Sequence, residues 1–309
     1  MEFLPVVVIR TIQSTILLFA AFGVRAQEPD PAIKVDVDVV NVLCTVYDSR
    51  GVLVKDLKKD DFEIREEGRK QEIRYFARDT NLPLTVALLV DVSGSVRTFV
   101  DTEKLTAEKF LREVIRPNDQ ALLVGFSSTV ILWQDLTSSA ELLQASLEKL
   151  RPIPFRGIPL DGRPMPGTLL YDAVVETSTK KLNDVAGRKV MVIISDGLDN
   201  GSQLHLEDAV RSEQMTNTVV YGICYESGFS GCSFLKNMSE PTGGHVFRVG
   251  KNSSLSKIFQ TIEDEVRSQY AIGYVPANRT HDGKFRKLQV RAIPRGLKVE
   301  ARKGYYASH

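Results

Sequence analysis

Asp91, Ser93 and Ser95 stand at alternate positions, with Gly94 between the two serines. They follow the apolar run 86–90, so a buried strand ends where they begin. A strand that stops at a turn leaves its last side chains at the rim of a sheet. Three oxygen-bearing side chains at i, i+2 and i+4, bent around a glycine, can converge on one point. Hydroxyl and carboxylate oxygens are donors for a hard cation such as Mg²⁺. Two further pieces fit the same point. Residues 190–194 form a second apolar, β-branched run that ends in Ser195-Asp196-Gly197, which places Asp196 at another strand end. Gly167-Thr168 opens a helix-like stretch and offers one more hydroxyl.

A D-x-S-x-S, a distant threonine at a helix start and a strand ending S-D-G together resemble the metal-ion-dependent adhesion site of a von Willebrand factor A domain. Its five positions are filled here by Asp91, Ser93, Ser95, Thr168 and Asp196. The resemblance implies that Ser93, Ser95 and Thr168 ligate directly, while Asp91 and Asp196 supply charge and orient ligands or waters. It implies Mg²⁺, or else Mn²⁺ or Ca²⁺. Mg²⁺ demands octahedral oxygen coordination at ~2.0–2.1 Å and keeps several waters when protein ligands are few. Mainly neutral direct ligands leave such a cation under-neutralised, which favours an Asp or Glu carboxylate from a partner protein. Two plainer readings stand beside this one. Asp91 could simply cap backbone N–H groups at a turn, or a bound metal could only stiffen the rim. Asp199 reads as an outer group around the cation or, preferably, as a residue that caps or solvates its loop.

The elements that must position these residues follow an α/β pattern. From residue 82 apolar runs alternate with helical stretches, the mark of a doubly wound, mostly parallel six-stranded sheet with helices on both faces. Strands are expected at 84–90, 120–126, 189–195, 218–224 and 245–249, with a short edge strand at 129–134. Helices are expected at 99–115, 168–182, 205–215, 233–238 and 255–269. Another, running through Leu150, is opened by a capping box at Ser138-Ser139-Ala140-Glu141. Between Arg151 and Gly167 stand Pro152, Pro154, Pro159, Pro164 and Pro166. This reads as a stiff loop that delivers Thr168 and forms one wall of the site, a tolerated insertion being the alternative.

Strand-like segments flank this α/β stretch. Residues 33–47 alternate apolar with polar, 48–51 form a turn, and 52–54 begin a return strand with Leu57 packing inward. A strand through Phe62 and Ile64, a turn at Glu66-Glu67-Gly68 and a last strand at 71–76 complete half of an antiparallel β-sandwich. The tail carries strand patterns at 270–275, 284–292 and 297–301, then Gly304-Tyr305-Tyr306. It is expected to return and complete the sandwich. Residues 82–269 would then be an A domain inserted between 27–81 and 270–309. Gly51, Val54, Leu57, Asp61, Phe62 and Ile64 are similar to a block that precedes A domains in a bacterial exported, von Willebrand factor A-related family. Tyr270, Gly273 and Tyr274, with Lys303-Gly304-Tyr305, resemble the block that closes it.

Residues 1–26 combine Arg10, an apolar segment at 15–22 and Val24-Arg25-Ala26 before Gln27. They read as a secretory signal peptide, with an uncleaved N-terminal anchor as the rival. The expected location is therefore secreted, periplasmic or at the cell envelope. Cys224 and Cys232 read equally as a short-loop disulfide or as a buried strand thiol with an unrelated neighbour. Cys44, alternating with Val42 and Val46, reads as a core thiol.

A net charge of +1 gives no reason to expect nucleic acid as a partner. Residues 279–309 carry nine Lys and Arg against two acids. That reads as the solvated face of a sheet, with docking to an anionic envelope surface as the alternative. Catalysis is not expected. Ser93-Gly94-Ser95 is not a G-x-S-x-G elbow, and His205, His245, His281 and His309 are scattered, His205 being the nearest candidate for the rim. No phosphate loop or zinc signature occurs. The expected function is an exported, metal-dependent protein-binding module of adhesion or scaffold type. The alternatives are a structural envelope protein whose metal only stabilises the rim and, below it, a hydrolase.

Overall fold

The computed structural model describes residues 39–78, 82–93, 107–108, 110–112, 115–151, 167–225, 231–250 and 254–308. The signal-like segment 1–26, residues 33–38 of the first alternating stretch, Ser95, most of the 99–115 helix and the proline-rich loop 152–166 lie outside them. The chain begins with β1 (Val40–Tyr47), β2 (Phe62–Glu66), β3 (Arg69–Gln71) and β4 (Ile73–Ala77). Next come β5 (Leu84–Asp91), β6 (Gln120–Phe126), β7 (Val130–Thr137) and helix α1 (Ala140–Lys149). Helix α2 (Leu170–Thr177) continues as a π turn over Ser178–Leu182 and leads to β8 (Arg188–Ser195). Then α3 (Leu206–Met215), β9 (Thr218–Tyr225), α4 (Gly231–Thr242), β10 (Val246–Val249) and α5 (Leu255–Arg267) follow. The tail supplies β11 (Tyr270–Tyr274), β12 (Phe285–Ala292), β13 (Lys298–Ala301) and β14 (Gly304–Tyr306).

The central sheet has the order β10-β9-β8-β5-β6-β7. All its pairs are parallel except β6–β7, which puts an antiparallel strand at one edge. Every residue of β5 and of β8 is buried, as near-continuous apolar runs must be when both faces are covered. Side chains of β5 alternate between two cores. Leu84, Val86, Leu88 and Val90 pack with Phe110, Leu147 of α1, and Phe259 and Ile262 of α5. Ala87 and Leu89 pack with Val174 of α2, Ala209 of α3 and Met238 of α4. Each such buried Leu, Ile or Phe contributes about 1.5–3 kcal/mol relative to exposure. From β5 the chain moves outward to β6, and from β8 it moves the opposite way to β9. The order reverses between β5 and β8, and a crevice opens beyond the carboxyl ends of strands at such a switch point.

Two four-stranded antiparallel sheets complete the structure, in the orders β13-β1-β11-β4 and β14-β12-β2-β3. Each takes strands from both sides of the α/β segment, with Val42 opposite Ile272 in one and Ile64 opposite Val290 in the other. The two share one apolar core that includes Val42, Cys44, Ile64, Ile272 and Leu288. Buried Glu66 is tolerated there because it accepts from Tyr274 Oη at 2.6 Å and Tyr305 Oη at 3.0 Å. The α/β segment meets these sheets closely. Gly243 adopts φ +92° after α4, where a Cβ would stand 2.7 Å from the Ala301 carbonyl carbon, and Lys303 N donates to Pro241 O at 2.8 Å.

Some elements differ from the sequence expectation. The strand expected at 71–76 is two strands in different sheets, because the chain crosses from β3 to β4 at Glu72. The return strand at 52–54 makes a single bridge, Tyr47–Leu53. Glu66 ends β2 and lies outside its turn. Ser139, rather than Ser138, caps α1: its Oγ accepts from Leu142 N and donates to Glu141 Oε2. Edge strand β7 runs three residues further, and α4 spans Gly231–Thr242 rather than 233–238. Ile115 lies outside the helix that precedes it. Cys224 and Cys232 are disulfide-bonded, and Cys44 is a buried free thiol.

Candidate metal centre

Asp91 is the last residue of β5, and Asp196 directly follows the last residue of β8. Register pairs Val90 with Ile194, so the two carboxylates leave neighbouring strands at the same edge of the sheet. Asp91 is fully buried and Asp196 is 6% exposed, while Ser93 and Thr168 are half-buried. Asp91 Oδ1 accepts from Ser93 N at 2.9 Å, and Oδ2 accepts from Ser195 Oγ at 2.8 Å. The Ser195 oxygen also accepts from Gly197 N at 2.9 Å, which turns the chain sharply after β8. Asp196 Oδ1 accepts from Leu198 N at 3.1 Å. Burial pushes the Asp91 carboxyl above its ordinary range and the nearby Asp196 charge adds to this, while the hydrogen bonds from Ser93 and Ser195 pull it back.

Thr168 reaches this rim through its backbone. Thr168 N donates to Asn200 Oδ1 at 2.6 Å, Leu169 N donates to Ser127 O at 2.9 Å, and Asn200 N donates to Thr168 O at 3.3 Å. Ser127 follows β6 and Asn200 belongs to the loop after β8, so these bonds hold Thr168 at the carboxyl ends of the strands. The loops approach too closely for side chains: a Cβ on Gly201 would lie 2.5 Å from Gly167 N. Helix α2 starts at Leu170 rather than Thr168, and its N-cap residue, Leu169, has no oxygen with which to cap. The loop after β8 supplies the caps. Asp199 Oδ2 accepts from Tyr171 N at 3.3 Å, and Ser202 Oγ accepts from Asp172 N at 3.1 Å. In return Asp172 accepts from Gln203 N and Leu204 N. Asp199 is thus a capping residue, as preferred from sequence. His205 serves as the N-cap residue of α3, where its N–H donates to Asp208 Oδ2 at 3.0 Å.

The structure therefore brings Asp91, Ser93, Thr168 and Asp196 to one rim, and Ser95 lies outside the described residues. Sequence reasoning missed Asn200, Ser195 as a tie between strands, and the Ser127 carbonyl. Their partners lie far away in sequence or are backbone groups, and no local spacing reveals them. The donor set suits a hard cation. Two nearly buried carboxylates stand behind half-buried hydroxyls, and Asp91 is pushed towards its neutral form in the absence of a compensating positive charge. Among the described residues no cluster of three or more His, Cys, Asp or Glu could hold a metal.

A model of the von Willebrand factor type A domain matches residues 85–261, more than half of the chain. The chain belongs to this family. Among solved structures, proximal thread matrix protein 1 from the mussel byssus is similar at 19% identity and TM-score 0.51, over 65% of this chain and 51% of that one. The same mussel protein with a zinc-occupied MIDAS motif is similar at 17% identity and TM-score 0.51, over 65% and 49% of the two chains. A von Willebrand factor type A protein from Catenulispora acidiphila is similar at 11% identity and TM-score 0.51, over 88% of this chain and 74% of that one. At these identities the likeness is one of fold. The chain spans about half the length of the mussel protein it matches. No curated protein matches the sequence. No helix among the described residues is long and apolar enough to cross a membrane.

Proposed function

We propose that the von Willebrand factor type A domain of this chain is an exported, divalent-cation-dependent protein-binding module. Its site is the rim formed by Asp91, Ser93, Ser95, Thr168 and Asp196. The observation that carries this reading is the buried Asp91 carboxylate, fixed by Ser93 N and Ser195 Oγ at the switch point of the sheet. Ser93 and Thr168 offer hydroxyl oxygens, the motif assigns a third to Ser95, Asp91 and Asp196 provide negative charge behind them, and Asn200 holds the Thr168 loop in place. A bound Mg²⁺, Mn²⁺ or Ca²⁺ supplies an electropositive centre for an Asp or Glu carboxylate of a partner protein. The zinc-occupied MIDAS of the mussel relative supports a cation at this rim. The signal-like residues 1–26, the Cys224–Cys232 disulfide and the flanking blocks similar to the bacterial exported, von Willebrand factor A-related family support export. Adhesion or scaffolding at the cell envelope needs no catalytic group, and none is assigned.

The test is thermal melting of the full chain with Mg²⁺, with Mn²⁺ and with EDTA, beside Asp91→Ala. A ligand at 100 times its dissociation constant stabilises the folded state by about 2.7 kcal/mol. For a domain of this size that is a shift of several degrees. A metal-dependent shift that is lost in Asp91→Ala supports the site, and pull-downs with and without EDTA then seek the partner. A partner that binds equally well in EDTA would sink the reading.

A further inference from the structure

At the opposite end of the central sheet, α5 divides its last turn between two cavities. Asp264 and Glu265 line one, and Arg267 and Ser268 line the other. The second cavity, about 530 Å³, lies near the start of β5 and is otherwise lined by Lys55, Arg78, Arg116 and Tyr270. Four cations thus face it from separate places: the loop after β1, the end of β4, the approach to β6 and the end of α5. No carboxylate is among its lining residues. The chain as a whole carries a net charge of only +1, so this positive potential is local.

The walls of the cavity are held in place. Arg267 pairs with Asp119. The Asp119 carboxylate also accepts from Leu84 N at 2.8 Å and Arg116 N at 3.1 Å. It is therefore committed to structure, and the nearby acid, Asp56, acts on Tyr270 but does not line the cavity. Tyr270 Oη donates to Val54 O at 2.9 Å and accepts from Leu57 N at 3.1 Å, fixing the loop that carries Lys55. Two carbonyls near the end of α5, which would repel an anion, are hydrogen-bonded. Arg188 Nη1 donates to Val266 O at 2.7 Å, and Ser268 N donates to Glu265 O at 3.0 Å. Lys55, Arg78 and Arg116 are exposed and form no ion pair among the described residues. Like charges drawn together without carboxylate partners raise each other's cost unless an anion joins them.

We propose that this pocket is an oxyanion site that takes a phosphate or sulfate group, either as the free ion or as an ester on a larger molecule. Guanidinium groups match such tetrahedral oxyanions with paired N–H donors, and Lys55 adds a point charge. The site is independent of the metal rim, which lies at the carboxyl ends of the same strands.

The experiment is calorimetric titration of the full chain with inorganic phosphate, inorganic sulfate and a glycerol phosphate polymer, each against chloride at matched ionic strength. Saturable binding beyond chloride is expected. Arg78→Ala and Arg116→Ala should each weaken it by about tenfold, whereas Lys287→Ala, an exposed cation on β12, should leave it unchanged. Tighter binding of the polymer than of the free ion would identify an ester as the ligand, and equal or weaker binding would identify the free ion. All three variants change exposed residues, and melting temperatures close to wild type are required before their affinities are compared. No binding beyond chloride would overturn the proposal. So would binding that survives Arg78→Ala and Arg116→Ala, or that falls equally in Lys287→Ala.

Discussion

The Ser195 hydroxyl donates to Asp91 Oδ2 at 2.8 Å while its oxygen accepts from Gly197 N at 2.9 Å. One side chain thereby ties the end of β5 to the turn that follows Asp196. Groups that orient metal ligands in this way typically govern 10–100-fold in affinity. Ser195→Ala should weaken Mn²⁺ binding by roughly that factor and cost about 1–3 kcal/mol of stability, because it leaves a buried carboxylate oxygen without its donor. Calorimetric titration with Mn²⁺ checks the first figure and urea unfolding the second. Wild-type affinity in Ser195→Ala would remove Ser195 from the site.

Asp91 is wholly buried beside a second carboxylate, so without a cation its charge costs stability. Asp91→Asn removes that charge and keeps the size of the side chain. In EDTA at pH 7 the variant should melt at or above the wild-type temperature. With Mg²⁺ present it should show none of the wild-type rise. A variant that melts well below wild type in EDTA would mean that the charge itself stabilises the rim without metal.

Asn200 acts on Thr168 from a distance of 32 residues. Asn200→Ala removes the acceptor for Thr168 N and loosens the loop that carries the hydroxyl. The expected loss is about tenfold in metal affinity, with only about 1 kcal/mol in stability because the site is exposed to water. Asn200→Asp keeps an acceptor and should restore most of the affinity. Wild-type metal affinity in Asn200→Ala would show that Asn200 does not hold Thr168 for the metal.

These residues also show what could be read from the sequence and what could not. Asp91 and Asp196 were legible because each is the first acidic residue after an unbroken apolar run, and a doubly covered parallel strand produces such a run. The doubly wound sheet and the flanking strands were legible through the same periodicities. The switch of sheets at Glu72 was not, since β3 and β4 read as one alternating stretch and only tertiary packing separates them. The start of α2 was misplaced at Thr168 because capping is usually local, whereas here Asp199 and Ser202 cap a helix about thirty residues earlier. The disulfide could not be decided from spacing, because a buried strand thiol and a bridged one look alike in sequence.

Cys224 ends within β9 and Cys232 within α4, and their bridge closes a loop of sequence separation 8. In the chain-entropy account, closing a loop of this length stabilises the folded protein by about 2–3 kcal/mol. Melting in dithiothreitol should fall by roughly 5–10 °C at this domain size. A Cys224→Ala, Cys232→Ala double variant should melt at that lower temperature with or without reductant. An unchanged melting temperature on full reduction would show that the bridge constrains little of the unfolded chain.

His245 joins two elements through two acids. Its Nδ1 lies 2.9 Å from Glu300 Oε2 on β13, and its Nε2 lies 3.5 Å from Glu265 Oε1 on α5. Burial opposes a charge on the ring, but Glu300 and Glu265 together outweigh it and hold the ring above its ordinary value of 6.5. Burial pushes the Glu265 carboxyl from 4.5 up to about 7, with His245 pulling the other way. Tyr47 and Tyr221 face Glu265, and Lys298 faces His245 and Glu300. Both groups therefore bind protons more tightly when folded than when unfolded. Their stabilisation is fully present below pH 4.5 for Glu265 and below pH 6.5 for His245, and it is lost as pH rises through the folded-state values. From Glu265 alone, stability should fall by about 1.3 kcal/mol between pH 6 and pH 8, and His245 adds to the fall in the same direction because the pair titrates together. Urea unfolding at pH 6, 7 and 8 measures the slope. Glu265→Gln should flatten most of it, and His245→Gln part. A wild-type profile that is level across this window, or a slope that survives Glu265→Gln unchanged, would show that the acids and the histidine do not couple the last turn of α5 to β13.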